Sequence, residues 1–217
     1  MGLSGEGRKA VKLLVATHNP GKVREYRALL EGLPVELTWP GELGLGLQVE
    51  ESGSTFEENA RLKALAYARA SGLWTLADDS GLEVEALGGA PGVRSARYAG
   101  PSASDADRYR LLLEQMAAVP EGHRQARFRC VVALASPGGQ VWTAEGKVEG
   151  VIAWEPRGRN GFGYDPVFYL PDLGCTMAEL PPEEKNRLSH RARAVEAIRP
   201  LLARLARGEQ VAEPPPL

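Results

Sequence analysis

The segment LADDSG, at residues 76–81, places two carboxylates directly after an apolar run. Asp78 and Asp79 are followed by Ser80 and Gly81, and this composition is typical of a tight turn. Carboxylates are also the ligands that Mg²⁺ prefers and the groups that accept a proton from an attacking water. The segment therefore indicates either a turn or a hydrolytic site.

A second acidic pair, Glu50 and Glu51, precedes a predicted helix. Asn59 and Lys63 are four residues apart in that helix, so they share one face. On a surface helix these groups would simply be solvated. If the fold brings Glu50 and Asp79 together, however, the two carboxylates could hold Mg²⁺ against a polyphosphate.

The segment THNPGK, at residues 17–22, lies between a predicted strand and a predicted helix. Backbone N–H groups at such a junction bind phosphate oxygens, and Lys22 would add a positive charge. The segment is not a Walker A loop, which requires G-x-x-x-x-G-K-[ST]. The alternative interpretation is an ordinary helix start.

Two further segments contain groups suited to a nucleotide base. RNGFGYDPVF combines glycines with Phe162 and Tyr164, whose rings could stack on a base, although a packed turn has the same composition. EKNRLSHRA places Lys185, His190 and Arg191 within two helical turns, either as donors to a ring carbonyl or as a surface cationic patch.

Hydrophobic periodicity predicts the elements that would position these residues. Strands are predicted at VKLLVA, LWTLA, LEVEAL, ARFRCVVALAS, QVWTAEGKVEG and VFYLP. Helices are predicted after THNPGK and in TFEENARLKALAYARASG, SDADRYRLLLEQMAAV and ELPPEEKNRLSHRARAVEAIRPLLARLARG. The second of these begins with a T-x-x-E capping box. The last contains Pro200, which should break or kink it.

The order of these elements predicts an α/β architecture with a mixed sheet. Residues 34–54, rich in Gly and Pro, are predicted to contain little regular structure. We expect one domain over residues 1–207, with two lobes, and a disordered tail at residues 208–217.

Composition excludes several classes of protein. The chain has 217 residues, 43% of them hydrophobic, which suffices for a core. A net charge of −2 argues against nucleic acid as a partner, and no apolar run is long enough for a membrane span, so a cytoplasmic protein is expected. The two cysteines show no zinc spacing, so a metal site would be oxygen-liganded, as for Mg²⁺.

Taken together, the segments resemble the inosine triphosphate pyrophosphatase family, also called Ham1-like or RdgB-like. The matching stretches are LLVATHNPGKVREY, EESGSTFEENARLKA, ADDSGLEVEALGGAPGVRSARYAG, ARFRC, GFGYDPVF and AELPPEEKNRLSHRA. They occur in the family's order and span residues 13–192. Six matches in register are far more specific than any one of them.

The resemblance implies roles for the matching residues. The phosphate-binding residues would be Thr17, His18, Asn19, Pro20, Gly21 and Lys22, and Ser80 would contact substrate. Asp79 and Lys63 would be catalytic, Glu50 and Asp79 would be the Mg²⁺ ligands, and Asp78 would have a supporting role. The base pocket would consist of Phe162, Gly163, Tyr164, Asp165, Lys185, His190 and Arg191.

The resemblance also implies an elongated mixed β-sheet flanked by helices, with a central cleft between two lobes, in a homodimer. The implied activity is Mg²⁺-dependent hydrolysis of noncanonical purine nucleoside triphosphates (ITP, dITP and XTP) to the monophosphate and pyrophosphate, which cleans the nucleotide pool. Two alternatives remain open. One is a Maf-like pyrophosphatase for other modified nucleotides, and the other is a protein that binds nucleotide without hydrolysing it.

Overall fold

The computed structural model describes residues 10–211, in which seven strands form one mixed sheet. The strands are β1 (Val11–Val15), β2 (Val35–Thr38), β3 (Trp74–Val84), β4 (Gln125–Ala135), β5 (Val141–Ile152), β6 (Phe168–Leu170) and β7 (Cys175–Thr176). They lie in the order β2-β1-β3-β4-β5-β6-β7. β1 pairs in parallel with β2 and β3, whereas the later pairs are antiparallel, which confirms the predicted mixed sheet.

Helices cover both faces of this sheet. They are α1 (Pro20–Leu29), α2 (Phe56–Ser71), α3 (Asp105–Gln115), α4 (Pro182–Leu188) and α5 (His190–Ala206). Short 3₁₀ segments lie at Glu85–Leu87, Gly92–Arg97, Asp165–Val167, Pro171–Leu173 and Met177–Glu179. Within residues 10–211 no helix is both long and apolar enough to cross a membrane.

The segment LADDSG lies in the middle of β3, so the turn interpretation is wrong. The two strands predicted on either side of it are one strand of 11 residues. The reason is the partner strand, because β4 pairs with the whole segment, Asp78 opposite Val132 and Ser80 opposite Cys130. β1 is shorter and its last partner in β3 is Leu76, so within residues 10–211 no strand pairs with this edge of β3 from Ala77 until the isolated bridge between Glu83 and Pro91.

Three hydrophobic clusters form the core. One packs β1, β3 and β4 against α1 and α5 and includes Leu13 and Ile198. Another packs the opposite face of the same strands against α2 and includes Leu14 and Ala60. This division follows from strand alternation, which sends successive side chains to opposite faces. The third cluster lies at the other end of β4 and β5, beside α3 and β6, and includes Phe168.

The predicted C-terminal helix is two helices that meet at Ser189. The side chain of Ser189 caps α5 by accepting a hydrogen bond from the backbone N–H of Ala192 at 3.1 Å. The expected break at Pro200 does not occur, since α5 runs through it to Ala206. Pro200 lies on the exposed face of α5, where water can hydrate the carbonyl that proline leaves without a helical partner.

Two other predictions concern segments outside the main elements. Residues 34–54 contain β2, a parallel edge strand, and are otherwise irregular. Gly208 and Glu209 hydrogen-bond back to the end of α5, and Val211 packs against the core, so the predicted tail is ordered as far as residue 211. The rest of that prediction, at residues 212–217, lies outside the described residues, as do residues 1–9.

The contact between Gly146 of β5 and the first turn of α5 yields a testable prediction. A Cβ atom at Gly146 would lie 2.2 Å from the carbonyl oxygen of His190 and 2.4 Å from the amide of Ala194. Because both are backbone atoms, Gly146→Ala must displace α5 and should lower the free energy of unfolding by about 1–3 kcal/mol in urea denaturation. Gly138→Ala is the control, since its nearest contact would be Ser136 Oγ at 3.7 Å. Equal stability of the two variants would contradict this packing argument.

Candidate active site

A cavity of about 490 Å³ opens beside β3, just beyond the end of β1. Most of the residues predicted for the site line it, namely Thr17, His18, Asn19, Lys22, Lys63, Asp79, Ser80, Phe162, Gly163, Tyr164, Asp165, His190 and Arg191. Four predicted residues are not part of its lining, namely Pro20, Gly21, Glu50 and Lys185. One end of the cavity is rich in charged groups and the other in rings.

Strand alternation directs Asp78 and Asp79 to opposite faces of the sheet. Asp79 points toward α2, where its Oδ2 accepts a hydrogen bond from Asn59 Nδ2 at 3.0 Å. Its Oδ1 accepts from the backbone N–H of Ser80 at 2.9 Å. Burial, together with the negative charge of Glu51, raises the pKa of Asp79 to about 6.

The second carboxylate at this end is that of Glu51, whereas Glu50 is exposed. Glu51 forms an ion pair with Lys63, whose Nζ also donates to the backbone carbonyl of Asp78 at 3.1 Å. Glu50 and Glu51 are adjacent, and it is Glu51 that lines the cavity while the Glu50 side chain is exposed. The structure thus brings Asp79 together with Glu51 and not with Glu50.

The charges at this end of the cavity fit a divalent cation. Burial and the second negative charge of Glu51 raise the pKa of Asp79, and the charges of Lys22 and Lys63, which are already paired with Asp78 and Glu51, only partly offset this. Mg²⁺ commonly binds through one or two carboxylates, several waters and substrate phosphates. In the described part of the chain, no three His, Cys, Asp or Glu residues cluster as a site held by protein alone would require.

The phosphate-loop candidate, residues 17–22, has a backbone arrangement that differs from the prediction. Asn19 caps α1, and its Oδ1 accepts hydrogen bonds from the N–H groups of Gly21 at 2.8 Å and Lys22 at 3.2 Å. These two amides therefore already have a partner within the loop. The groups of the loop that line the cavity belong instead to Thr17, His18, Asn19 and Lys22.

Tyr67 of α2 joins this loop to the segment that contains Glu51. Its hydroxyl donates to the carbonyl of Leu47 at 2.6 Å and lies 2.9 Å from His18 Nε2. Because the Tyr67 proton is used on Leu47, His18 Nε2–H must donate to Tyr67. A single buried helix residue thus fixes two segments of the cavity wall.

Asp78 lies on the other face of β3, among buried cations. Its Oδ2 is 2.9 Å from Lys22 Nζ and accepts from Arg191 Nη2 at 3.0 Å. Burial opposes ionisation of Asp78, but the charges of Lys22 and Arg191 outweigh it and hold the pKa of this carboxyl well below its usual range. Asp78 is therefore an anion that binds two cations.

These ion pairs continue under the far end of the cavity. Arg191 Nη1 donates to Glu25 Oε2 at 2.6 Å, and Glu25 Oε1 lies 2.8 Å from Lys185 Nζ. Lys185 also pairs with Asp165. Although Arg191 lines the cavity, it is only 1% exposed, and its Nη2 also donates to Ser80 Oγ at 2.8 Å.

The far end of the cavity is lined by rings. The Phe162 ring lies over Gly21, where a Cβ atom would approach Phe162 Cδ1 to 2.5 Å. His190 stacks on Phe128 with ring centroids 4.7 Å apart, and its buried Nδ1 has no partner within residues 10–211. Burial, reinforced by the charge of Arg191, holds the pKa of His190 well below its ordinary value, so the imidazole is neutral.

Comparisons with known proteins are consistent with this geometry. The sequence model of the Ham1 family matches residues 13–201. A dITP/XTP pyrophosphatase of Geobacter sulfurreducens is 52% identical over 188 residues, which cover 87% of this chain and 94% of that protein. One from Bacillus subtilis is 48% identical over 189 residues, covering 87% and 96%.

Solved structures agree with the sequence relatives. A HAM1 protein from Coxiella burnetii superposes with a TM-score of 0.81 at 45% identity, covering 88% of this chain and 98% of that one. The Ham1 protein of Staphylococcus aureus superposes with a TM-score of 0.79 at 41% identity, covering 92% and 100%.

Sequence reasoning alone missed several residues of the site. The sequence assigns Asn59 no role in the site, although its spacing from Lys63 indicates that both residues lie on the same face of α2. Glu25 could have been suspected as an acid next to the core residue Tyr26. Tyr67 and Phe128 gave no signal, because apolar helix and strand faces normally contain such residues.

The opposite environments of the two aspartates predict opposite effects on stability. The pKa of Asp79, about 6, lies above its ordinary 3.8, so the charged form is disfavoured in the folded protein. The resulting contribution to stability is present at low pH and is lost as the pH rises through about 6. In EDTA at neutral pH, Asp79→Asn should therefore raise the free energy of unfolding by roughly 1–3 kcal/mol, and this gain should disappear near pH 4.

Asp78→Asn is the matched variant and should lower the free energy of unfolding by about 3–5 kcal/mol, since it leaves buried cations without their anion. Urea denaturation of the Asp79→Asn and Asp78→Asn variants measures both changes in the free energy of unfolding. Destabilisation of the same size by both would show that the two carboxylates are not in opposite environments.

Proposed function

Because the chain belongs to the Ham1 family, we propose that it hydrolyses noncanonical purine nucleoside triphosphates, such as dITP, ITP and XTP, to the nucleoside monophosphate and pyrophosphate. One observation in the structure supports this most. A single cavity joins an end built of carboxylates and lysines to an end built of aromatic rings and a buried neutral histidine. A polyphosphate suits the first end and a purine the second.

At the charged end, Lys22 and Lys63 are the cations that would meet the phosphates. Each already pairs with a carboxylate, Lys22 with Asp78 and Lys63 with Glu51, so each is held in place before substrate arrives. Fixed charges of this kind stabilise negative charge that develops in a transition state without reorganisation. Thr17, His18 and Asn19 add neutral hydrogen-bonding groups beside them.

Asp79 is the group on this wall that is best suited to accept a proton from the attacking water. In the metal-free protein its pKa of about 6 leaves it mostly ionised at neutral pH, so the carboxylate is available to bind a cation or accept a proton. Asn59 and the Ser80 amide hold it in one orientation. Mg²⁺ bound to Asp79 and Glu51 would neutralise phosphate charge and lower the pKa of a coordinated water.

At the other end, Phe162 and Tyr164 would pack against the purine, and His190 would recognise it. Neutral imidazole has one N–H donor, and His190 lines the cavity. Hypoxanthine and xanthine present a carbonyl at position 6 that this donor can bind, whereas adenine presents an amino group. A mismatch that leaves buried polar groups unpaired can reduce reactivity by about 10⁴-fold.

The proposal includes a cytoplasmic homodimer that cleans the nucleotide pool and uses Mg²⁺. A Maf-like enzyme for other modified nucleotides would differ in substrate preference. A nucleotide sensor would bind without turnover, but two carboxylates beside the proposed phosphate position, Glu51 and Asp79, argue against it, because anionic groups repel a polyphosphate unless a metal bridges them.

Pyrophosphate release from ITP, dITP, XTP, GTP and ATP, measured with Mg²⁺ and with EDTA, tests the proposed function. We expect fast Mg²⁺-dependent release from dITP, ITP and XTP, little release from ATP, and none from any substrate in EDTA. Preference for a modified pyrimidine triphosphate would favour the Maf-like alternative. Tight binding without release would favour the sensor.

The adjacent acids Glu50 and Glu51 provide a matched test of the carboxylate pair. Glu51→Gln should lower kcat/KM for dITP by roughly 100-fold or more, because it removes the second negative charge that would hold Mg²⁺. Glu50→Gln should stay within about twofold of the wild type, since solvent screens an exposed charge outside the cavity. A larger loss of kcat/KM in Glu50→Gln than in Glu51→Gln would identify Glu50 as the Mg²⁺ ligand.

A further inference from the structure

The first residue of α3, Asp105, contacts the loop that carries the aromatic rings. Its Oδ2 accepts a hydrogen bond from the backbone N–H of Gly163 at 2.7 Å. Its Oδ1 accepts from Arg108 Nη1 at 2.6 Å, and Arg108 Nη2 donates to the carbonyl of Ala103 at 2.7 Å. Both Asp105 and Arg108 line the cavity.

Asp105 is not required to cap α3. The capping box of this helix is formed by Ser104 and Asp107, whose side chains bond each other's backbone N–H groups. The carboxylate of Asp105 is therefore left to bind Arg108 on one side and the ring-bearing loop on the other. Arg108 also balances the charge of this carboxylate, which would otherwise repel a triphosphate in the same cavity.

The contacted loop turns at two glycines. Gly161 and Gly163 have φ angles of +75° and +64°, in the left-handed region that favours glycine. The N–H of Phe162 donates to Asp165 Oδ2 at 2.9 Å, and the next N–H, that of Gly163, donates to Asp105. Two carboxylates thus hold the two consecutive amides between the Phe162 and Tyr164 side chains.

Tyr164 has an anchor of its own on the opposite side. Its hydroxyl donates to the backbone carbonyl of Ser95 at 2.9 Å. The Phe162 ring makes no hydrogen bond but packs over Gly21 with its centroid 4.6 Å from Lys185 Nζ, and the backbone around it sets how the ring meets these contacts. Arg159 and Asn160 tie the start of the loop to Ala178, and the Gly163 amide is the point directly after Phe162 where the backbone is held from outside the loop.

We propose that Asp105, held by Arg108, is a positioning residue for base recognition. By binding the amide of Gly163, it sets the Phe162 ring at the spacing from His190 that a purine requires. The inference rests on the proposed function, because it concerns the base-binding end of the same cavity. Asp105 acts through the loop and not on the reacting phosphates.

Three variants test this role. Asp105→Ala should weaken binding of inosine monophosphate roughly tenfold, the size expected for a lost hydrogen bond to a charged group. Its affinity for inorganic pyrophosphate should stay unchanged, because pyrophosphate has no base to contact the Phe162 ring and would bind through Lys22 and Lys63. Asp105→Asn keeps an oxygen acceptor for the Gly163 amide and should recover most of the lost affinity.

Asp107→Ala is the matched control, since it removes another carboxylate from the first turn of α3 without touching the loop. It should lower the stability of the helix but leave both affinities unchanged. In turnover measurements, Asp105→Ala should raise KM for dITP, because base binding is weakened, and should leave kcat nearly unchanged. Equal loss of nucleotide affinity in the Asp105→Ala and Asp107→Ala variants, or equal loss of pyrophosphate affinity, would overturn the proposal.

Hydrogen exchange at the Gly163 amide separates this inference from the proposed function. Exchange should be faster in Asp105→Ala than in the wild type or in Asp107→Ala, and unchanged exchange would overturn the proposed contact. Neither this measurement nor the two binding measurements requires turnover. Failure of the proposed function would appear instead as a wild-type protein that releases no pyrophosphate from any triphosphate.

Discussion

The buried ion pairs of Arg191 are the constraint on which the rest of the site depends. One guanidinium, 1% exposed, binds Asp78 of β3 and Glu25 of α1 and also donates to Ser80. Removing one partner from such a pair leaves an uncompensated buried charge, so the three elements must keep their relative positions. Since α1 follows the phosphate loop and α5 begins at His190, this contact fixes the charged end of the cavity relative to the ring-lined end.

Two adjacent aspartates acquire different chemistry because they belong to a strand. Asp78 faces Lys22 and Arg191, which keep it ionised, whereas Asp79 is buried beside Glu51, and both the burial and that negative charge make its ionisation costly. Titratable groups whose surroundings separate their pKa values are typical of sites that perform acid–base chemistry. Asp78, paired with its cations, supports the fold, whereas Asp79 is the carboxylate proposed to bind the metal and accept the proton. The environment that raises the pKa of Asp79 lowers stability at neutral pH, and the ion pairs of Asp78 offset that loss.

The sequence allowed prediction of the elements and of most of the site, and its failures have physical causes. The strand run VKLLVA and the capped helix starting after Thr55 follow from local pattern alone. LADDSG looked like a turn because its composition is typical of turns, and only its pairing with β4 makes it a strand. The choice between Glu50 and Glu51 depends on which way an irregular segment faces, which no local pattern specifies. The partners of Asp105 and Glu25 are distant in sequence and could be found only in three dimensions.

Hydrolysis of dITP in ¹⁸O-labelled water, with mass spectrometry of both products, tests the central claim most directly. If Asp79 directs water to the α-phosphorus, the label enters the nucleoside monophosphate and the pyrophosphate remains unlabelled. Label in the pyrophosphate would mean that water attacks the β-phosphorus, and release of labelled orthophosphate would mean attack at the γ-phosphorus. Either result would contradict the placement of the triphosphate along Asp79, Lys22 and Lys63 on which this account rests.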